Sequence, residues 1–181
     1  MLASRSPQRR AILDQIGIPY AVDVPDVEEL QAGPPHEVAL ENAFRKASAV
    51  AARTPGTLVL GVDTLVSLGA RVYGKPADED EARAMLSALA GRRHTVVSGV
   101  CLIEDGRPRT AAASTVVEFR ALDDGLIDWY LASGEWRERA GAYAIQGRGA
   151  ALVAGIDGDF LNVVGLPVTT LLELAPGLLS R

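Results

Sequence analysis

A short apolar start, Leu2-Ala3, runs into Ser4-Arg5-Ser6-Pro7-Gln8-Arg9-Arg10, which carries the residue types of an anion site. Pro7 suits the first position of a helix, because its missing N–H would have no partner there and its φ is already helical. Ser6 is then the natural N-cap. A helix N-terminus offers free N–H groups and partial positive charge. Two serine hydroxyls and an arginine fork on the same turn favour phosphate over carboxylate, since a guanidinium binds it through two parallel hydrogen bonds. An ordinary capped helix with solvated arginines is the alternative, and the segment alone does not separate the two.

Five further places carry chemistry. Asp63 interrupts the apolar stretch Leu58–Leu68, where a carboxylate needs a cation, a metal or several donors to offset its desolvation. A turn aspartate at a strand end fits the same spacing. Lys75 stands in Tyr73-Gly74-Lys75-Pro76, a turn that projects the ammonium outward, either into solvent or toward a ligand. Lys46 lies four residues after Asn42 and borders the apolar face of its helix, so it either snorkels or enters a cleft. Asp26, Glu28 and Glu29 form an acidic loop of the kind that is solvated or holds a hard cation. Finally, Gly141-Ala142-Tyr143-Ala144-Ile145-Gln146-Gly147-Arg148-Gly149 has three glycines for close backbone approach and a glutamine able to donate and accept at a base edge. A glycine-rich turn leading into a strand is its plainer reading.

These residues need elements to hold them. Helical periodicity predicts helices over 7–17, 36–53, 79–90, 124–132 and 168–179. The third has Asp78 and an acidic first turn at its start and Gly91 at its end, in the order the helix dipole favours. Strand signals cover 57–62, 65–68, 94–104 and 109–120, with Asp105-Gly106 as a hairpin turn. Residues 150–155 and 159–164 are expected to pair around Asp157-Gly158. Hairpins mixed with helical crossovers predict a mixed α/β sheet flanked by helices. Neither G-x-x-x-x-G-K-[ST] nor a G-x-G-x-x-G after a strand occurs, so a nucleotide site rests on another architecture.

With 181 residues, 48% of them hydrophobic, the chain is expected to form one domain over 1–181. Its 18 basic and 23 acidic residues give a net charge of −5, which speaks against stable nucleic-acid binding and against a membrane surface. The single cysteine, Cys101, sits in an apolar run and reads as a buried hydrophobe, in keeping with a cytoplasmic protein. Two histidines, His36 and His94, do not make a histidine-rich zinc site.

Six segments occur in one order: Ala3-Ser4-x-Ser6-Pro7-x-Arg9-Arg10, Glu41-Asn42-Ala43 with Lys46-Ala47, Val62-Asp63-Thr64-x-Val66, Gly74-Lys75-Pro76, Gly141-Ala142-Tyr143-Ala144-Ile145-Gln146-Gly147 and Asn162-Val163-Val164-Gly165-Leu166-Pro167. In that order they resemble the Maf family of nucleoside triphosphate pyrophosphatases, related in fold to inosine triphosphatases, over essentially the whole chain. The resemblance implies a curved mixed sheet with two lobes and a central cleft. It implies hydrolysis of a nucleoside triphosphate to the monophosphate and pyrophosphate, assisted by a divalent cation, magnesium foremost with manganese as the other choice. By motif, Asp63 would be the catalytic carboxylate, and Lys46 and Lys75 would neutralise the triphosphate. Ser4, Ser6 and Arg9 would hold phosphate oxygens, and Glu29, with Asp63, would stand at the metal.

The same resemblance bears on the base. Thr64 after the aspartate and Gln146 match the dTTP- and UTP-hydrolysing branch. That branch usually carries arginine at the position of Gln8, a departure that leaves room for CTP. The 7-methylguanosine triphosphate branch carries tryptophan there, which this chain also lacks. Rival expectations are the same chemistry on such a modified purine, a non-catalytic nucleotide- or nucleic-acid-binding division regulator, and phosphate-ester hydrolysis with orthophosphate as product. A homodimer is compatible with all of them.

Overall fold

The computed structural model describes residues 1–180, built on one six-stranded mixed sheet with helices packed against it. In chain order the elements are β1 (Leu2–Ala3), α1 (Pro7–Gln15), α2 (Pro35–Ala51), β2 (Val59–Leu68), β3 (Arg71–Tyr73), α3 (Glu79–Leu89), β4 (Arg93–Glu104), β5 (Arg107–Phe119), α4 (Asp124–Leu131), β6 (Val153–Asp157), α5 (Phe160–Val164) and α6 (Val168–Leu174). The strand order is β1-β2-β4-β5-β6, with β3 attached to β2. Only β1 runs parallel to its neighbour; the remaining pairs are antiparallel.

One edge of β2 decides where the site lies. On its far side β4 pairs with it continuously from Val59 to Ser67. On the near side β1 covers only Leu60 and Gly61, and β3 covers only Val66 to Leu68. Residues 62–65 are thus left without a strand on that edge among the described residues. Asp63 and Thr64 sit in the middle of this window, and because side chains alternate along a strand they serve opposite faces of the sheet.

On one face, α2 lies unusually close to the sheet. A Cβ at Gly61 would come within 2.3 Å of the Ala43 carbonyl oxygen, and one at Gly99 within 2.2 Å of the Ala39 oxygen. Ala39, Ala43 and Ala47 are fully buried in that contact. Only glycine in the strands and alanine on the helix permit it, and the result presses Asn42 and Lys46, one turn apart, over Asp63. On the other face Ile12, Leu13, Leu60, Val62, Val100, Leu166 and Leu171 form a core beneath α1, α5 and α6. A larger core toward the far end joins Val66, Tyr73, Leu86, Phe119, Tyr130, Trp136 and Tyr143.

The strand signal at 57–62 continues past Asp63 through 65–68 as one strand, because Asp63 is accommodated by partners and does not break the ladder. Most other predicted elements appear, with three differences. Residues 159–164, expected as a strand, are the helix α5: Asp159 caps it through a 2.7 Å bond from Leu161 N to Oδ1, and Gly165, at φ +127°, ends it. β6 accordingly pairs with β5, and residues 148–152 before it form a tight 3-10 turn. The last helix stops at Leu174, short of the expected 179, because Pro176-Gly177 follows; a 3-10 turn then spans Leu178–Ser180. The short β3 carried too little pattern to be foreseen. No described helix is long and apolar enough to cross a membrane.

Candidate active site

The N-terminal motif folds as its residue types dictate. Ser6 caps α1 by accepting a hydrogen bond from Arg9 N at 3.4 Å, and Pro7 occupies the first helical position. The Ser6 hydroxyl donates to Gln8 Oε1 at 3.2 Å, and Ser6 N donates to Ser4 Oγ at 3.2 Å. Arg9 does not reach into solvent. Its guanidinium is buried, donating from Nε to the Gly165 carbonyl at 2.9 Å, from one terminal nitrogen to Ser4 Oγ at 2.9 Å, and from the other to Thr64 Oγ1 at 3.2 Å. Burial depresses its proton affinity, opposed by the nearby negative charges of Asp63 and Glu29. A guanidinium remains charged under such a shift, so a fixed cation stands at the window in β2.

Asp63 faces α2 and is 7% exposed. Lys46 Nζ donates to its Oδ1 at 2.6 Å and Asn42 Nδ2 to its Oδ2 at 3.1 Å. The same ammonium reaches Glu29 Oε1 at 2.9 Å. Lys46 therefore bridges two carboxylates, the arrangement that makes a buried charge tolerable. Asn42 holds the loop that delivers Glu29: its Oδ1 accepts from Leu30 N at 2.8 Å and its Nδ2 donates to Leu30 O at 3.1 Å.

Thr64 serves the opposite face. Its hydroxyl accepts from Arg9, lies 2.9 Å from Ser98 Oγ and donates toward Gly165 O at 3.4 Å. Gly165 is aimed by α5, which Asn162 pins to the sheet through bonds to Val96 O and Thr115 Oγ1. Ser4, Ser6, Gln8, Arg9 and Thr64 thus gather on one side of the window in β2, and Lys46, Asp63 and Glu29 on the other, near enough for Asp63 and Glu29 to act on the charge of Arg9.

Lys75 and Gln146 are placed differently. The Lys75 side chain is 54% exposed and pairs with Glu138 at 3.1 Å, not with Asp63. Its turn nonetheless flanks the site: Gly74 O accepts from Gly141 N at 3.0 Å, and a Cβ on Gly74 would lie 3.7 Å from Gln31 Oε1, two residues beyond Glu29. Gln146 is exposed on the loop after Tyr143. Asn42, Ser98, Gly165 and Glu138 were not singled out from sequence as site residues. Asn42 had a readable signal, one helical turn before Lys46; Ser98 and Glu138 had none, since their partners are distant in the chain.

Cys101 is fully buried among apolar residues, and burial pushes its thiol up to about 12, so it is no nucleophile at neutral pH. The two carboxylates at Lys46 fit a magnesium-like ion, which takes one or two protein carboxylates and completes its shell with water and substrate phosphates. No group of three metal-ligating side chains exists among the described residues.

Known proteins resemble this chain over nearly its whole length. Residues 1–177 match the family model described as Maf-like protein. A protein of Symbiobacterium thermophilum named dTTP/UTP pyrophosphatase is 49% identical over 170 residues, covering 93% of this chain and 88% of the relative. One of Thermococcus gammatolerans with the same name is 46% identical over 184 residues, covering 100% and 99%. A third, from Myxococcus xanthus, is 49% identical over 171 residues, covering 93% and 86%.

Proposed function

The chain belongs to the Maf family, and from that premise we propose that it hydrolyses dTTP and UTP to the monophosphate and pyrophosphate, with CTP admitted by Gln8. The observation that carries this reading is the cluster of Asp63, Lys46 and Glu29 beside the buried guanidinium of Arg9. A triphosphate brings about four negative charges, and cleaving its α–β bond requires cations around the leaving pyrophosphate and a base for water. Arg9, with Ser4 and Ser6, receives phosphate oxygens at the start of α1. Lys46 and Lys75 approach the polyphosphate from two sides. Glu29 and Asp63 would hold a divalent cation, magnesium foremost with manganese as the other choice, which supplies Lewis-acid charge neutralisation when bound.

Asp63 takes the proton of a water whose oxygen bonds to the α-phosphorus. The bond from that phosphorus to the bridging oxygen breaks, and pyrophosphate departs with the electron pair. Lys46 and Asn42 each occupy one oxygen of Asp63, which fixes the carboxylate plane while leaving lone pairs on both oxygens. Gln146 reads the pyrimidine edge from the rim, and Thr64 holds Arg9 in place. A reducing cytoplasm suits a chain whose one thiol is buried and unpaired.

The test is a panel of nucleoside triphosphates assayed with magnesium, with the released anion identified. Turnover of dTTP and UTP with pyrophosphate as product is the expected result. Release of orthophosphate, or strong turnover of 7-methylguanosine triphosphate with negligible dTTP and UTP, overturns the reading.

A further inference from the structure

The loop that carries Gln146 is held from below, and one of its supports has no role in the chemistry described so far. Glu135 Oε2 accepts a hydrogen bond from Arg148 N at 2.8 Å. A Cβ placed on Gly147 would lie 2.3 Å from that same oxygen and 2.6 Å from Oε1, so the carboxylate lies flat against the glycine. The glycine vacates the space that the carboxylate fills, and the carboxylate fixes the Gly147-Arg148 peptide group that follows Gln146.

Glu135 is itself rigidly mounted. Its N–H donates to Ser133 Oγ at 3.1 Å, and the neighbouring Trp136 is buried with Nε1 bonded to Leu131 O at 3.1 Å. On the other side of Gln146 the loop is anchored by Ala144 N donating to Tyr130 Oη at 2.9 Å and by the buried Ile145 side chain. Gln146 is the exposed side chain between these anchors. Its direction is set by backbone on both flanks, and at Gly147 and Arg148 the only side chain bonded to that backbone, among the described contacts, is Glu135.

We propose that Glu135 is a positioning residue for base selection: it aims Gln146 without touching the substrate. The inference rests on Gln146 reading the base. Removing the carboxylate frees the Gly147-Arg148 peptide, the anchor just after Gln146, so the favourable bases lose their advantage while the phosphate chemistry at Asp63, on a different part of the fold, continues. A bond to a carboxylate is worth about tenfold or somewhat more in an equilibrium, which sets the size of the expected change.

The experiment compares kcat and KM for dTTP, UTP, CTP and ATP in wild type, Q146A, E135A, E135Q and G147A, with thermal melts to establish folding. Q146A should flatten the preference among bases. E135A should flatten it in the same direction, raising KM for dTTP and UTP about tenfold with kcat changed less than about threefold. E135Q keeps an acceptor oxygen in place and should restore most of the preference. G147A, which displaces the carboxylate from the opposite side, should behave as E135A and covers the case in which E135A folds poorly. If Q146A flattens the preference while E135A and G147A leave it intact, or lower kcat equally on every base, Glu135 does not position the reader. If Q146A itself leaves the preference unchanged, the assignment of Gln146 falls, and this inference with it.

Discussion

Around Asp63 the polar groups are already engaged with one another, whereas around Lys75 and Gln146 they point outward. Lys46 and Asp63 have side chains only 10% and 11% exposed and meet at 2.6 Å, with Asn42 and Glu29 completing the cluster. Lys75 is more than half exposed, its carboxylate partner Glu138 more so. The first region is pre-organised, with the cost of burying charge met during folding by mutual pairing. The second is a rim of exposed side chains, Lys75 among them, held by nothing stronger than a surface ion pair. One half of the site is therefore part of the core, and the other is part of the surface.

The largest expected effect tests the buried half. Asp63→Asn keeps the shape and removes the charge and the proton acceptor. Turnover of dTTP should fall by about a thousandfold or more, as for loss of a general base. The melting temperature should stay within a few degrees, because Lys46 retains Glu29 and the amide still accepts from it. Residual activity within about tenfold of wild type would mean that Asp63 pairs with Lys46 for structural reasons alone.

The next pair breaks the comparison directly. Lys46→Ala and Lys75→Ala each remove one cation from the polyphosphate, and each should slow turnover about a hundredfold or more. Their stabilities should diverge. Lys46→Ala leaves Asp63 buried without its cation and should cost about 3 kcal/mol in chemical denaturation. Lys75→Ala removes an exposed pair worth less than about 1 kcal/mol. Equal destabilisation by the two substitutions would erase the distinction between a core half and a surface half.

The same distinction governs how much was legible in the sequence. Pro7 and Ser6 announced the start of α1 because capping is local, and both sit where their chemistry puts them. Asp63 was conspicuous because a charge inside an apolar run needs partners, and Lys46 because it borders an apolar helical face. The partner contacts themselves were not visible. Arg9 meets Gly165 across 156 residues of chain, and Thr64 meets Ser98 across β2 and β4, so neither pairing leaves a periodic trace. The misread strand at 159–164 is instructive in the same way. Its apolar residues suit either element, and what decides for a helix is the Asp159 cap and the stop at Gly165, whose carbonyl accepts from Arg9. The Lys75–Glu138 pair was also out of reach, since it joins two loops through exposed tips.

The smallest effect concerns what lies beneath the rim. His94 on β4 is 2% exposed; its Nε2 is 3.0 Å from Tyr143 Oη, and its ring meets Phe119 and Tyr143 edge-on. Tyr143 begins the segment that ends in Gln146, so a buried histidine lies beneath an exposed glutamine. Burial lowers the His94 pKa from its ordinary 6.5 to about 4. The folded state thus disfavours the imidazolium, while the unfolded chain accepts a proton once pH falls through 6.5. The contribution is fully present above that value and is lost progressively as pH falls toward about 4. Between about pH 7 and about pH 5.5 the loss amounts to about 1 kcal/mol. Denaturation curves at the two pH values should show it in wild type, and His94→Gln, which cannot titrate, should flatten the difference. A wild-type slope no steeper than that of the variant would mean that the imidazole is protonated in place, and that the floor under Gln146 carries a charge.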